Sequence, residues 1–250
     1  MIRLDQLLVS QGLANSRTRA QRLIRNGRVQ LADGRTLNKP SEKWPIDTPL
    51  NVEDDPEERY ASRAGLKLEG VLHALNMRLE GRGVLDIGQS TGGFTDCALQ
   101  FGARHVVGVE VGHDQLANHL RNDPRVTCLE RLNAREMSRA SALLSALAEW
   151  PIDLAVMDVS FISQTLILPE IAALLPTDGQ LLSLVKPQFE LEPNALDKRG
   201  VVRDPRRFAE VEQKIRTACQ QYGLVISHWQ ESPITGGDGN REFLLFASKR

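Results

Sequence analysis

The stretch Gly83-Val84-Leu85-Asp86-Ile87-Gly88-Gln89-Ser90-Thr91-Gly92-Gly93-Phe94-Thr95 constrains the fold more than any other part of the chain. A short apolar strand carries an acid at its end and breaks into a turn of small residues. Apolar helical spacing resumes at Phe94, with Ala98 and Leu99 following. Small residues let a ligand lie against backbone N–H groups at the start of a helix, which is how a first strand opens a ligand crevice. Asp86 narrows the ligand class. A pyrophosphate is repelled by a fixed negative charge there, whereas a cation is attracted. S-adenosyl-L-methionine carries a sulfonium and an ammonium, so the turn points to a methyl donor more than to a dinucleotide. An oxidoreductase reading also lacks its complete Gly-x-Gly-x-x-Gly turn.

Strand-like and helix-like segments alternate around this motif. Strands are expected at 83–88, 104–111, 126–129, 152–158 and 180–185, with helices at 66–79, 138–149, 163–175 and 205–222 and two further strands at 225–229 and 242–247. The alternation predicts an α/β fold, a doubly wound, Rossmann-like, seven-stranded and mostly parallel sheet with ligands at the carboxyl ends of its strands. Asp86, Glu110, Asp158 and Lys186 fall at those ends. Glu110 lies 24 residues after Asp86, near the spacing at which an acid reaches the ribose hydroxyls of an adenosine-containing cofactor. Asn133 follows the third strand, where an adenine edge would sit. Gly88, Ser90, Thr91, Gly92, Gly93 and Phe94 complete the expected cofactor set. The plain alternative for Glu110 is a strand-end carboxylate in water.

Charge separates a second module. The net charge of −1 conceals six arginines and a single acid, Asp5, in residues 1–30, so that end carries +5 and the remainder −6. Leu4, Leu7 and Leu8 share one face of a first helix stopped by Gly12. Asn15 and Ser16 are candidate caps for a second, in which Ala20, Leu23 and Ile24 face inward and Arg19, Arg22 and Arg25 outward. With Arg3, Arg17 and Arg28, and Arg63 farther on, these arginines suit an RNA backbone, because the planar guanidinium fork pairs with phosphate oxygens. A merely solvated helix face is the alternative. An acidic, proline-containing stretch at 53–58 reads as a linker, placing an RNA-binding module with its linker at 1–58 and a catalytic domain at 59–250.

Other classes find little support. No run of about 18 apolar residues and no apolar signal-peptide core is present, which leads to the expectation of a cytoplasmic protein that does not engage membranes. Cys97, Cys128 and Cys219 are scattered without metal-ligand spacing, so no metal is expected.

Asp158 and Lys186 end neighbouring expected strands, an arrangement that can prepare a hydroxyl for attack on an electrophilic methyl group. Amino-methylating enzymes usually carry Asn/Asp-Pro-Pro-aromatic after the fourth strand, where this chain has Asp158-Val159-Ser160-Phe161. A hydroxyl acceptor fits better.

Residues 1–50, through Ser16-Arg17-Thr18-Arg19-Ala20 and Leu23-Ile24-Arg25-Asn26-Gly27-Arg28-Val29, resemble the S4-type RNA-binding domain, a small α+β module. Nearly the whole chain resembles the TlyA (hemolysin A) family of ribosomal RNA 2′-O-methyltransferases, whose catalytic domain is similar to FtsJ/RrmJ. The marks are Ser62-Arg63-Ala64-Gly65-Leu66-Lys67-Leu68, the 83–96 turn, Val109-Glu110-Val111-Gly112, Asp158-Val159-Ser160-Phe161-Ile162-Ser163 and Val185-Lys186-Pro187-Gln188-Phe189-Glu190. The resemblance implies a catalytic Lys-Asp-Lys-Glu set at Lys67, Asp158, Lys186 and Glu242, S-adenosylmethionine as methyl donor, and ribosomal RNA or a ribosomal subunit as partner, with a cytidine ribose as acceptor. A non-catalytic ribosome-assembly protein would not need that set, and the lytic activity in the family's older name has no membrane-directed segment behind it. Ala64, Gln89 and Glu110 depart from the family's common glycine, alanine and aspartate.

Overall fold

The computed structural model describes Met1–Arg250 apart from Asn15 and the side chain of Glu57, so the expected cap at Asn15 lies outside the described residues. The chain divides into two compact units, Met1–Arg59 and Tyr60–Arg250.

In the first unit, Leu4, Leu7 and Leu8 of α1 (Leu4–Ser10) meet Ala20, Leu23 and Ile24 of α2 (Arg17–Arg25) in a core that also takes Val29, Leu37 and Leu50. Apolar residues at i, i+3 and i+4 form one stripe per helix, and burying the two stripes together is what makes such short helices stable. Ser16 caps α2, its hydroxyl accepting from the Arg19 N–H at 3.2 Å. The strands β1 (Ile2–Arg3), β2 (Val29–Leu31), β3 (Lys43–Trp44) and β4 (Leu50–Val52) pair antiparallel, β1 with β3 and β2 with β4. The 53–58 stretch is not a bare linker. It folds into a 3₁₀ turn at Pro56–Glu58, and its carboxylates bind this unit's own arginines.

The second unit is built on seven strands: β5 (Gly83–Ile87), β6 (His105–Val109), β7 (Val126–Leu129), β8 (Leu154–Met157), β9 (Gln180–Val185), β10 (Leu224–Glu231) and β11 (Phe243–Lys249). Their order is β10-β11-β9-β8-β5-β6-β7, with β5 to β9 parallel and β11 antiparallel between β9 and β10. Alternate strand residues enter opposite layers. Leu85, Ile87, Ala155 and Met157 join one core with Leu143, Ile171 and Ile215, while Val84, Leu154 and Val156 join the other with Leu68, Leu72 and Ala98. The first layer thus lies under α6 (Ser141–Glu149), α7 (Leu168–Leu174) and α8 (Arg207–Gln221), and the second under α3 (Ala64–Ala74) and α4 (Gly93–Gln100), with α5 (Asn118–Arg121) beside them. Cover on both faces is why the central strands are continuously apolar. Strand order reverses beside β5, which sets a crevice at the carboxyl ends of β5, β6 and β8.

Three expected helices are shorter or interrupted. The expected 66–79 helix is Ala64–Ala74, ended as the chain turns left-handed at Asn76 (φ 48°). The expected 138–149 helix begins only at Ser141, after a 3₁₀ turn at Ala134–Arg139 and an extended Ala140. The 163–175 helix restarts at Leu168, because Pro169 lacks an N–H and fits only a first turn.

Candidate active site

Gly88 and Gly92 let the chain turn at the end of β5. Gly88 (φ 83°) sits so close to the Asp158 carbonyl that a Cβ would collide with it, and a Cβ on Gly92 (φ 95°) would strike Leu116 and Leu120. A cavity of about 550 Å³ opens above the turn, lined by Gly88, Ser90, Glu110, Asn133, Asp158 and Phe161 among others. A smaller cavity of about 150 Å³ adjoins it, with Thr91, Gly93, Phe94 and Lys186 in its wall, and shares Gly88, Ser90, Asp158 and Ser160 with the larger one. Gly92 lines neither; its role is close packing against α5.

Glu110 stands just beyond β6 and is 8% exposed. Its two carboxylate oxygens accept the N–H groups of Ser90 and Gly112, each at 2.8 Å, so it shapes the turn while facing the cavity. Asn133 lines the same cavity but spends its side-chain oxygen on the Arg135 N–H at 3.0 Å.

Asp86 is expected to face the donor, but its side chain is turned away from both cavities. It lies within β5, is wholly buried, and lines neither cavity. Its Oδ2 accepts the Thr95 hydroxyl at 2.6 Å, and Thr95 in turn accepts from the Gln89 amide at 2.9 Å. Burial pushes the Asp86 carboxyl up to about 7; the Thr95 hydroxyl works against that rise and the charges of Asp158 and Glu110 add to it. Asp86 therefore anchors the turn from beneath. Gln89, 2% exposed, is the other half of that anchor, and its side chain occupies the space a Cβ on Gly108 would take. A glycine opposite on β6 is what admits this larger residue into the loop.

The four residues of the implied catalytic set form two ion pairs. Lys186 Nζ lies 2.5 Å from Asp158 Oδ1 and donates to Ser160 Oγ at 2.8 Å. Lys67 Nζ donates to Glu242 Oε2 at 2.5 Å, with both side chains buried. Glu242 precedes β11 and is not part of it. The ladder pairs Phe243 with Val185, so Glu242 falls one step beyond, beside Lys186 in the register.

Sequence reasoning passed over several participants. Ser160 is the second partner of Lys186, and only its place beside Asp158 marks it. Phe161 is 91% exposed on left-handed backbone (φ 64°) at the cavity lip, tilted against Phe189 at 5.1 Å. A bulky residue held there is strained and marks a constrained loop. Glu190 ties that loop to the turn after β9, accepting the Ser163 hydroxyl at 2.5 Å and the Gln164 N–H at 2.8 Å while Lys214 approaches at 3.1 Å.

The arginines of the first unit are mostly engaged with neighbouring acids. Arg3 and Arg17 bind the buried Asp5, which the Arg3 hydrogen bond above all holds well below the usual carboxylate range. Arg19 and Arg22 hold Glu58 at 2.6 and 2.7 Å, and Arg28 lies 3.8 Å from Glu53. Arg25 is exposed, as is Arg63 ahead of α3 in the second unit. Among the described residues no acidic, cysteine or histidine cluster could hold a metal, and no helix is long and apolar enough to cross a membrane.

Comparison with known proteins agrees with this layout. The model of the FtsJ-like methyltransferases matches residues 60–249, and that of the S4 domain residues 2–43. YqxC of Bacillus subtilis, provisionally named an rRNA methyltransferase, is 46% identical over 97% of this chain and 84% of its own. The 16S/23S rRNA (cytidine-2′-O)-methyltransferase TlyA of Mycobacterium tuberculosis is 41% identical over 98% of this chain and 88% of its own. A solved structure from Streptococcus thermophilus, provisionally described as a hemolysin, superposes with a TM-score of 0.75 at 40% identity, covering 99% of this chain and 88% of that one.

Proposed function

The chain belongs to the FtsJ-like methyltransferase family, and on that premise we propose that it transfers a methyl group from S-adenosylmethionine to a ribose 2′-hydroxyl of ribosomal RNA, with cytidine as the acceptor nucleoside. The observation that carries the reading is the Lys186–Asp158 pair, whose aspartate lines both cavities and whose lysine lines the smaller one.

The larger cavity suits the donor. Its volume of about 550 Å³ is that of a small-molecule site, Glu110 can accept from ribose hydroxyls, and Leu132 and Ile162 flank space for a flat base beside Asn133. The carboxylates of Glu110 and Asp158 favour a cation, the role first assigned to Asp86. Gly88, Ser90, Thr91, Gly93 and Phe94 contour the backbone around the donor. When bound, S-adenosylmethionine supplies an electrophilic methyl group on a positively charged sulfur.

Lys186 orients the 2′-hydroxyl through its ammonium as the oxygen–methyl bond forms, and the hydroxyl proton passes to the Asp158 carboxylate beside it. Asp158 and Ser160 hold the ammonium in place. Lys67 adds positive potential that favours the developing alkoxide, and Glu242 fixes Lys67. Phe161 offers an aromatic face at the lip for a base drawn out of its stack, the usual way single-stranded RNA is read.

The test is to map 2′-O-methylation in ribosomal RNA from cells with and without this gene, then to repeat the reaction with purified protein and its Lys186→Ala variant. A ribose methylation that disappears with the gene and with Lys186→Ala is expected. Normal turnover by Lys186→Ala, with the modification intact in cells lacking the gene, would overturn the assignment.

A further inference from the structure

Between β9 and α8 runs Asp197-Lys198-Arg199-Gly200-Val201-Val202-Arg203-Asp204-Pro205-Arg206-Arg207, five basic and two acidic side chains in eleven residues. The fold holds this segment closely. Asp197 Oδ1 accepts the Arg199 and Val201 N–H groups at 2.7 and 2.9 Å, and the Asp197 N–H donates to the Val201 carbonyl at 2.8 Å. Leu196 and Val202 form an antiparallel bridge. Asn240, only 1% exposed, clamps the other side, its Oδ1 accepting the Val202 N–H at 3.1 Å and its Nδ2 donating to the Gly200 carbonyl at 3.0 Å. Asn240 stands two residues before Glu242. The loop is thereby fixed to the chain segment that delivers a member of the catalytic set.

Its charges are unequally committed. Arg206 and Arg207 pair with Asp204 and Glu210. Lys198, Arg199 and Arg203 are exposed; Arg199 has only a loose 3.7 Å approach to Asp197, and neither Lys198 nor Arg203 has an ion-pair partner among the described residues. Most arginines of the first unit differ in this respect, being held by carboxylates. An ordered backbone carrying uncommitted cations, with its two valines half-buried, matches a polyanion rather than an apolar partner.

We propose that the 197–203 loop is an RNA-contacting surface of the catalytic unit, with Lys198, Arg199 and Arg203 gripping backbone phosphates near the ribose to be methylated. The inference rests on the methyl-transfer reading above. Asp197 and Asn240 supply the fixed geometry and the three cations the attraction. Phosphate contacts of this kind place a substrate without reading its sequence.

The test compares wild type with K198S/R199S/R203S and with the charge-conserving K198R/R199K/R203K, using isolated ribosomal subunits from cells lacking the gene. The serine variant is expected to raise KM for the subunit about tenfold or more and leave kcat and donor affinity by calorimetry near wild type. It should also flatten the slope of log affinity against log salt by roughly 0.7–0.9 for each lost phosphate contact. The charge-conserving variant should retain most of the affinity. Unchanged KM and salt slope in the serine variant, beside an active wild type, overturn the loop's role and leave the methyltransferase reading standing. Equal losses in both variants overturn it too, since charge would not be the cause. A wild type that transfers no methyl group, yet whose binding to subunits weakens in the serine variant alone, overturns the methyltransferase reading and supports the loop.

Discussion

Lys186–Asp158 and Lys67–Glu242 share a nitrogen–oxygen separation of 2.5 Å and differ in their surroundings. The first pair borders a cavity, with side chains 12% and 15% exposed, and has Ser160 as a further partner. The second is sealed between α3 and the start of β11, with 9% and 3% exposure. A cation at a rim can trade a protein partner for a substrate hydroxyl at small cost. A cation sealed inside cannot move without leaving a charge unpaired in a poor dielectric. The first pair is thus free to exchange partners at the cavity, while the second can act there only through its field.

The contrast can be broken most directly through the lysines. Lys186→Ala should lower turnover by about 10²–10⁴-fold, the usual contribution of a well-placed acid–base group, at a stability cost of about 1 kcal/mol. Single-turnover kinetics with thermal melting would read both, and a large loss of stability would erase the distinction. Lys67→Met should cost about 3–5 kcal/mol in urea unfolding, because Glu242 is left buried and alone. Adding Glu242→Leu should restore most of that stability without restoring activity. A double variant no more stable than the single would show that the buried pair is not the source of the loss.

Asp86 extends the contrast to another buried acid. Its carboxyl titrates at about 7 in the fold, above the 3.8 of a free aspartate. The proton-bound form is therefore favoured by folding. The resulting stability is complete below about pH 4 and is lost as pH rises through 7, by roughly 4 kcal/mol at most at about 1.4 kcal/mol per pK unit. Asp86→Asn should flatten the stability profile between pH 4 and 8; a variant profile parallel to wild type would remove Asp86 as the titrating group. On the rim side, Phe161→Ala should raise KM for RNA by about 5–150-fold, the scale of about 1–3 kcal/mol for one stacked base, with little change in melting. An unchanged KM would make Phe161 a bystander.

Much of this was legible in the residues. The 83–95 turn announces the sheet because strand, small-residue turn and helix are local patterns, and the ends of β6, β8 and β9 follow from apolar runs that stop at Glu110, Asp158 and Lys186. Asp86 lies beneath the loop for a reason the residues alone do not show. Sequence places it at a strand end, and one residue of register decides whether a strand-end side chain points into the ligand or beneath the loop. The same blindness hid Gln89, whose space exists only because Gly108 faces it from another strand. Helix breaks at Asn76 and Ala140 escaped the periodicity because apolar spacing continues past them. The acidic 53–58 segment read as a linker by composition, since its pairing with Arg19 and Arg22 depends on tertiary approach.

Strand β11 has a consequence for the timing of synthesis. Every other strand of the sheet precedes it in the chain, yet it occupies an interior place between β9 and β10. Until it is made, β9 presents an open edge and β10 has no neighbour in the sheet. Lys67 likewise waits for a partner 175 residues downstream. A growing chain on the ribosome therefore lacks the Lys67–Glu242 pair until the β10–β11 hairpin closes, after translation of the domain is nearly done.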